Sequence, residues 1–359
     1  MNMEELVSRI QPVDAAAAEK AQQRLDRLTK PQGSLGRLEA LARWLASVTN
    51  AERLSIERPV VFTFAADHGV AAEGVSAYPQ EVTAQMVLNF LAGGAAINAL
   101  ARQAGADVVV ADFGVAADLP PAPDLIDAKI ARGTANMAIG PAMSREQAVR
   151  AILKGAGIAL DRKERGAGLF ALGEMGIGNS TAASALTAAL TGASPEEVTG
   201  RGTGIDAEGL KRKVDTVRRA LAVATLAPHD PIAILAQVGG FEIAGLVGVV
   251  LAGAATRTPV VIDGFIASAA ALVACRISPR AADYLTASHM SVERGHQRLM
   301  RELGLTVLFD FGMRLGEGTG AALAIPILRA SCAVYNEMAT FAQAGVSECS
   351  DRQVEEVKS

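Results

Sequence analysis

The sequence predicts an α/β fold, a parallel sheet flanked by helices, and two observations carry that expectation. Apolar runs recur without polar alternation, in VVFTFAADHG (60–69), VVVADFG (108–114), GLFALGEMG (168–176), PVVIDG (259–264) and TVLFDFG (306–312). An alternating strand buries one face, whereas an unbroken β-branched and apolar run buries both, which is the habit of parallel sheets. Each run also closes on an acid followed by glycine, directly or after one residue, and helical segments intervene, so strand and helix alternate from Pro59 to about residue 330. The carboxyl ends of parallel strands share one edge, and open parallel sheets bind ligands there. Asp67, Asp112, Glu174, Asp263, Asp310 and Glu317 thereby become neighbouring candidates, with chance helix capping as the competing explanation for some of them.

Composition sets the class. A chain of 359 residues, half of them hydrophobic, can bury one large core and a small second unit. A net charge of −4, no long basic run and 4 % aromatics argue against a nucleic-acid surface. The three cysteines, Cys275, Cys332 and Cys349, are too scattered for a disulfide framework or a CxxC zinc site, which suits a reducing cytoplasm. MNMEELVSRI has no apolar core of a secretory signal. The most apolar stretch, IAGLVGVVLAGAAT (243–256), stops at Arg257, short of the roughly 20 residues that a membrane span needs. It reads as a buried helix.

Residues 1 to about 58 are expected to be helical. AAAAEKAQQRLDRL (15–28) gives an amphipathic helix, and KPQGSLGRLEALARWLASV (30–48) a turn and a second helix with Ser34 as N-cap and Leu35, Leu38, Leu41 and Leu45 as its buried stripe. Trp44 belongs to core or interface. The first strand runs into ADHGVAAEGVSAYPQEV (66–82), a polar loop long enough to suggest function, and then into a helix over 82–105. DLPPAPDL (118–125) is an exposed connection, and Ser144 caps a helix that begins with Glu146 and Gln147 in its first turn.

LGEMGIGNSTAASALTAAL (172–190) passes from strand through a glycine-rich turn into a helix opened by Asn179, Ser180 and Thr181. Free amides and the positive end of the helix dipole make that junction an anion site. It lacks the GK[ST] of a nucleotide-triphosphate loop and the spacing of a dinucleotide fingerprint. GRGTGID (200–206) is a second glycine cluster, before a helix with Lys211, Arg212 and Lys213. A lysine there is either solvated charge or a phosphate partner. QVGGFEIAGLVG (237–248) sets Glu242 at the start of the buried helix, and ASHMSVERGHQRLM (287–300) offers Ser288, His289, Ser291 and Glu293. The four histidines show no metal-ligand spacing, and neither a GxSxG elbow nor a cysteine dyad supports covalent hydrolysis. In RLGEGTGAAL (314–323) a lone Glu317 stands between Gly316 and Gly318. Flanking glycines permit unusual backbone angles and close ligand approach, a good mounting for a reactive acid, although a helix-entry glutamate serving only the dipole reads the same way.

Together, LTKPQGSLGRLE (28–39), ADHGV (66–70), GEMGIGNST (173–181), VGGFE (238–242), IDGF (262–265), SHMSVERG (288–295) and RLGEGTGAAL closely resemble, in the same order, the motifs of the nicotinate-nucleotide:dimethylbenzimidazole phosphoribosyltransferase family. The resemblance implies a cytoplasmic homodimer with a large Rossmann-like domain, here 59–330, and a small helical domain from both chain ends, 1–58 plus 331–359. It implies transfer of phosphoribose from nicotinate mononucleotide to 5,6-dimethylbenzimidazole or a related base. The products are nicotinate and α-ribazole 5′-phosphate, part of the lower ligand of cobalamin, with no metal, cofactor, membrane or nucleic-acid partner.

The chemistry agrees with that implication. Loss of nicotinate cancels the pyridinium charge and needs no general acid, while the attacking benzimidazole must shed a proton, so one positioned carboxylate base suffices. The resemblance places that base at Glu317 and gives Glu174 and Lys213 supporting roles near ribose and phosphate. It assigns the base pocket to Tyr78 and Met86, phosphate contacts to Gly176, Asn179, Ser180, Gly202 and Ser291, and a further substrate contact to Leu315. A noncatalytic phosphosugar-binding regulator would use the same anion turns without needing Glu317 poised.

Overall fold

The computed structural model describes residues 1–227 and 229–347. Its centre is a seven-stranded sheet of β1 (Pro59–Ala66), β2 (Asp107–Gly114), β3 (Leu125–Asp127), β4 (Leu169–Met175), β5 (Val260–Ile262), β6 (Leu285–His289) and β7 (Val307–Phe309), in the order β3-β2-β1-β4-β5-β6-β7. Every pairing is parallel. The strand order reverses at β1, which lies between β2 and β4, so the crevice at the carboxyl ends of β1 and β4 is the topological switch point of the sheet. β1 is buried at every position, and Phe62, Phe64, Phe113 and Phe170 pack around it, Phe64 stacking on Phe113 at 4.5 Å between centroids.

Two strands lie outside the apolar runs. β3 is a three-residue edge strand that begins at the last residue of the connection DLPPAPDL. β6, LTASH, is buried at all five positions although three of them are polar. It hides them by pairing internally, for example through the Ser288 hydroxyl, which donates to the Asp263 carbonyl at 3.0 Å.

The run at 243–256 is a core helix, Phe241–Ala255, buried over nearly its whole circumference. It lies on helix Arg145–Glu164 with backbones almost touching: a Cβ on Gly155 would strike the carbonyl of Gly245, and one on Gly248 the carbonyl of Ile152. Helix Arg145–Glu164 starts in a capping box, with the Ser144 hydroxyl accepting the Gln147 N–H at 3.1 Å. The expected helix over 82–105 is two helices, Val82–Leu91 and Ala96–Ala104, separated where Gly93 takes φ +75°. By length and composition alone Val82–Ala104 would suffice to cross a membrane, but it is interrupted and turns Thr83, Val87, Phe90 and Ile97 inward.

The chain divides into two units, Met1–Pro12 with Glu57–Ile325 and Val13–Ile56 with Pro326–Ser359. The division differs from the expected one at both ends. The first twelve residues belong to the large unit because Leu6 and Ile10 are buried and the Tyr284 hydroxyl donates to the Gln11 carbonyl at 2.8 Å. The later boundary falls at Pro326, inside helix Thr319–Glu337. In the small unit, helices Ala15–Asp26 and Arg37–Thr49 are tied to the chain's later segment by Arg24 Nε on the Tyr335 carbonyl (2.7 Å) and the Ser331 hydroxyl on the Leu38 carbonyl (2.7 Å). Gly36, at φ +50°, takes the N-cap position expected for Ser34, because Glu39 folds back to pair with Lys30 (2.9 Å) and accept the Leu35 N–H (2.9 Å).

Candidate active site

Four strands deliver acids to the switch-point edge. Asp67 follows β1, Glu174 lies in β4, Asp263 follows β5, and Glu317 follows the loop after β7. Glu317 and its neighbours Gly316 and Gly318 all take left-handed angles, φ +87°, +63° and +93° in chain order. For a glutamate this conformation costs about 1–2 kcal/mol, so its surroundings must enforce it. From β1, the Thr63 hydroxyl donates to the Glu317 carbonyl (3.0 Å); on β4, the Glu174 carbonyl accepts the Glu317 N–H (3.2 Å). Gly173 in β4 allows the approach, since a Cβ there would collide with the Glu317 carbonyl. The Glu317 carboxylate then reaches helix Ala96–Ala104, where Oε2 accepts the Ile97 N–H at 3.2 Å. Burial raises the Glu317 pKa above the ordinary carboxylate range, and that helix-terminal amide opposes the rise.

Glu174 is buried beside it. Burial raises its pKa well above the usual value, the nearby Asp263 and Glu242 carboxylates raise it further, and a bond from Asn179 Nδ2 opposes them. Burial also pushes Asp263 up to about 7, against three backbone N–H bonds that favour its ionised form. His68, after β1, is buried with Nε2 2.7 Å from Glu242 Oε1, and a Cβ on Gly240 would collide with its ring. Buried carboxyls that raise one another's pKa resist ionising together, so the edge both favours an incoming cation and offers a base of raised pKa.

The anion side lies next along the chain. Gly178, at φ +96°, opens helix Asn179–Thr191, and Lys213, fully buried on helix Ala207–Val223, donates to the Ser180 hydroxyl at 2.8 Å. A Cβ on Gly202 would stand 2.8 Å from both Lys213 Nζ and Ser180 Oγ, so these three residues converge on one point. Burial lowers the Lys213 pKa to about 8, with Glu293 pulling it back up. Among residues expected to meet phosphate, Asn179 spends its side-chain amide on Glu174, and the Gly202 N–H donates to Glu293 Oε1 at 2.8 Å. Ser291 stands behind Glu293, accepting the Glu293 N–H at 3.3 Å. Its own N–H donates to His296 Nδ1 at 2.9 Å, and burial lowers the His296 pKa to about 4; the ring is therefore neutral, with Nε2 as the donor to Ser268.

The other residues expected to bind substrate are less uniformly placed. Tyr78 and Leu315 are exposed on two loops that both bond to the 200–206 turn: the Ala77 N–H donates to the Thr203 hydroxyl (3.0 Å), and Arg314 Nη1 donates to the Gly202 carbonyl (3.0 Å). Met86 is half-buried one turn after Thr83, whose hydroxyl accepts the Ile177 N–H at 3.1 Å. Gly176 approaches β1 closely, since a Cβ would strike the Ala66 carbonyl. Two of the six strand-end acids have local duties instead. Asp112 accepts the Val115 N–H (2.8 Å) and pairs with Lys129 (3.1 Å), and Asp310 is exposed and accepts the Gly312 N–H (3.0 Å).

Comparison with known proteins adds sequence to geometry. A family profile described as phosphoribosyltransferase matches residues 10–346. Nicotinate-nucleotide–dimethylbenzimidazole phosphoribosyltransferase of Roseiflexus sp. (strain RS-1) is 55 % identical over 345 residues, covering 96 % of this chain and 98 % of that protein. The Geobacter metallireducens enzyme of the same name is 52 % identical, covering 97 % and 99 %. The crystal structure of CobT from Thermus thermophilus superposes with a TM-score of 0.90 at 50 % identity, covering 93 % of this chain and all of that one.

Proposed function

The chain belongs to the nicotinate-nucleotide–dimethylbenzimidazole phosphoribosyltransferase family, and from that premise we propose that Glu317 is the base of the transfer, with Glu174 facing the ribose and Lys213 the phosphate. Nicotinate mononucleotide lies across the switch-point crevice. Its phosphate meets Lys213, Ser180 and the glycine turns at 176 and 202, and its ribose lies over Glu174. The cationic pyridinium suits an edge crowded with carboxyls, and a Glu174 carboxylate facing the ribose stabilises the positive charge that develops at the anomeric carbon. 5,6-Dimethylbenzimidazole, or a related base, enters from the side of Tyr78, Met86 and Leu315. One ring nitrogen attacks the anomeric carbon from the face opposite nicotinate, the C–N bond to nicotinate breaks with its electron pair, and Glu317 takes the proton from the second ring nitrogen. The product is α-ribazole 5′-phosphate, a step in assembling the lower ligand of cobalamin.

The observation that carries this reading is the placement of Glu317. A glutamate in a left-handed turn, held from two strands with its carboxylate on a helix-terminal amide, is a buried base kept in one orientation. A cytoplasmic homodimer completes the proposal. Incubation with nicotinate mononucleotide and 5,6-dimethylbenzimidazole, followed by chromatography, should yield nicotinate and a ribazole phosphate; a binding regulator yields neither. Glu317→Gln keeps the size and removes basicity, so turnover should fall by roughly 10²–10⁴, the usual contribution of a positioned base. Near-wild-type turnover in that variant would remove Glu317 from the role.

A further inference from the structure

Asp263 is buried directly after β5, with its carboxylate turned into the start of helix Thr319–Glu337. Oδ1 accepts the Gly320 N–H at 2.6 Å and the Ala321 N–H at 3.1 Å, and Oδ2 accepts the Gly318 N–H at 3.2 Å. These amides belong to the helix entry, where no earlier helical carbonyl is in register to receive them. Their acceptor is therefore supplied by another strand.

The local packing is built for that arrangement. A Cβ on Gly320 would collide with His289 Nδ1 and stand 2.9 Å from Asp263 Oδ1, so glycine is needed for the backbone to reach the carboxylate. The Asp263 carbonyl is itself held by the Ser288 hydroxyl at 3.0 Å. Thr63 and the Glu174 carbonyl hold the peptide groups on either side of the Glu317 α-carbon, and Asp263 holds the second of these from its other end, through the Gly318 N–H, together with the first turn beyond it.

We propose that Asp263 is the positioning residue of the catalytic turn: by accepting the Gly318, Gly320 and Ala321 amides it holds the left-handed conformation of Glu317 and aims its carboxylate at the proton to be removed. The proposal rests on Glu317 as the base. Asp263 touches no reacting atom and acts through the backbone.

Asp263→Asn is the test, because it keeps the shape but sets an amide donor against an N–H. Positioning errors on the order of 1 Å cost up to about 100-fold in rate, so kcat should fall roughly 10- to 100-fold while the KM for nicotinate mononucleotide changes less than about threefold. The decisive arm is a double-mutant cycle. In a Glu317→Gln background there is no base left to aim, so adding Asp263→Asn should lower kcat by less than about threefold. An equal fold-loss in both backgrounds, or a loss confined to KM, overturns the proposal. Failure of Glu317 as base shows separately, as unimpaired Glu317→Gln. Should Asp263→Asn not fold, amide hydrogen exchange on the unaltered protein decides. Protection of Gly318, Gly320 and Ala321 is expected, and exchange at the rate of an open helix end contradicts the capping on which the positioning depends.

Discussion

Lys213 shows how burial brings the titration of a common surface residue toward neutral pH. With no ligand bound its ammonium is held down to about 8, so the free protein carries the charge below that pH and loses it above. If Lys213 holds the nucleotide phosphate, the KM for nicotinate mononucleotide should be level at neutral pH and rise as pH passes about 8. Lys213→Ala should raise that KM roughly 10- to 100-fold at neutral pH, the worth of a charge-assisted bond, and abolish the alkaline rise. Steady-state kinetics across pH with each substrate varied would show this; an effect on the benzimidazole constant alone would put the phosphate elsewhere. On the acid side, a raised Glu317 pKa means that kcat should fall as pH drops through a value above the ordinary carboxylate range. That limb belongs to Glu317 together with Glu174 and Asp263, which interact with it. At this scale the sequence spoke plainly where glycine permits an unusual backbone, as beside Glu317 and in the turns at 176 and 202. It was silent where a side chain serves a distant backbone: nothing near IDGF discloses that Asp263 receives amides from residues 318, 320 and 321. Nor does the sequence disclose that the Asn179 side-chain amide holds Glu174.

The long apolar runs identified strands because a strand buried on both faces has no polar face to show. β6 escaped because its polar residues are satisfied inside the fold, and such pairing depends on partners remote in sequence such as Asp263. Glycines within helices are equally opaque. Gly155 and Gly157 occur two residues apart on helix Arg145–Glu164, yet Gly155 faces the Gly245 carbonyl and Gly157 faces open space. Gly155→Ala should destabilise by about 1–3 kcal/mol or more, since it forces two helix backbones apart. Gly157→Ala should instead be neutral or stabilise by roughly 0.5–1 kcal/mol, through helix propensity and a less free unfolded chain. Urea unfolding of both variants tests the contrast, and equal effects would mean that the two helices do not pack as closely as described.

At the scale of the whole molecule, the helical character of the early residues was legible from their amphipathic spacing, but the affiliation of the first twelve was not. It depends on where Leu6 and Ile10 find cover and on the bond from Tyr284 to Gln11, which spans 273 positions of sequence. The KPQGSLG turn poses the same difficulty. Part of its composition has a local cause, since Gly33 and Gly36 take positive φ and Lys30 is tied to Glu39, but Pro31, Gln32 and Ser34 are exposed. We expect this turn to complete the active site of the partner subunit in a homodimer. Light scattering should then report a dimer, and Gln32→Ala combined with Ser34→Ala should lower turnover without changing the fold. Mixing supplies the sharper test. Subunits carrying only the turn substitutions, refolded together with Glu317→Gln subunits, form some dimers in which an intact Glu317 faces an intact turn from its neighbour. Activity should therefore exceed that of either parent if the turn acts across the interface. No gain on mixing would assign the turn to its own subunit, and a fully active turn variant would remove it from the site.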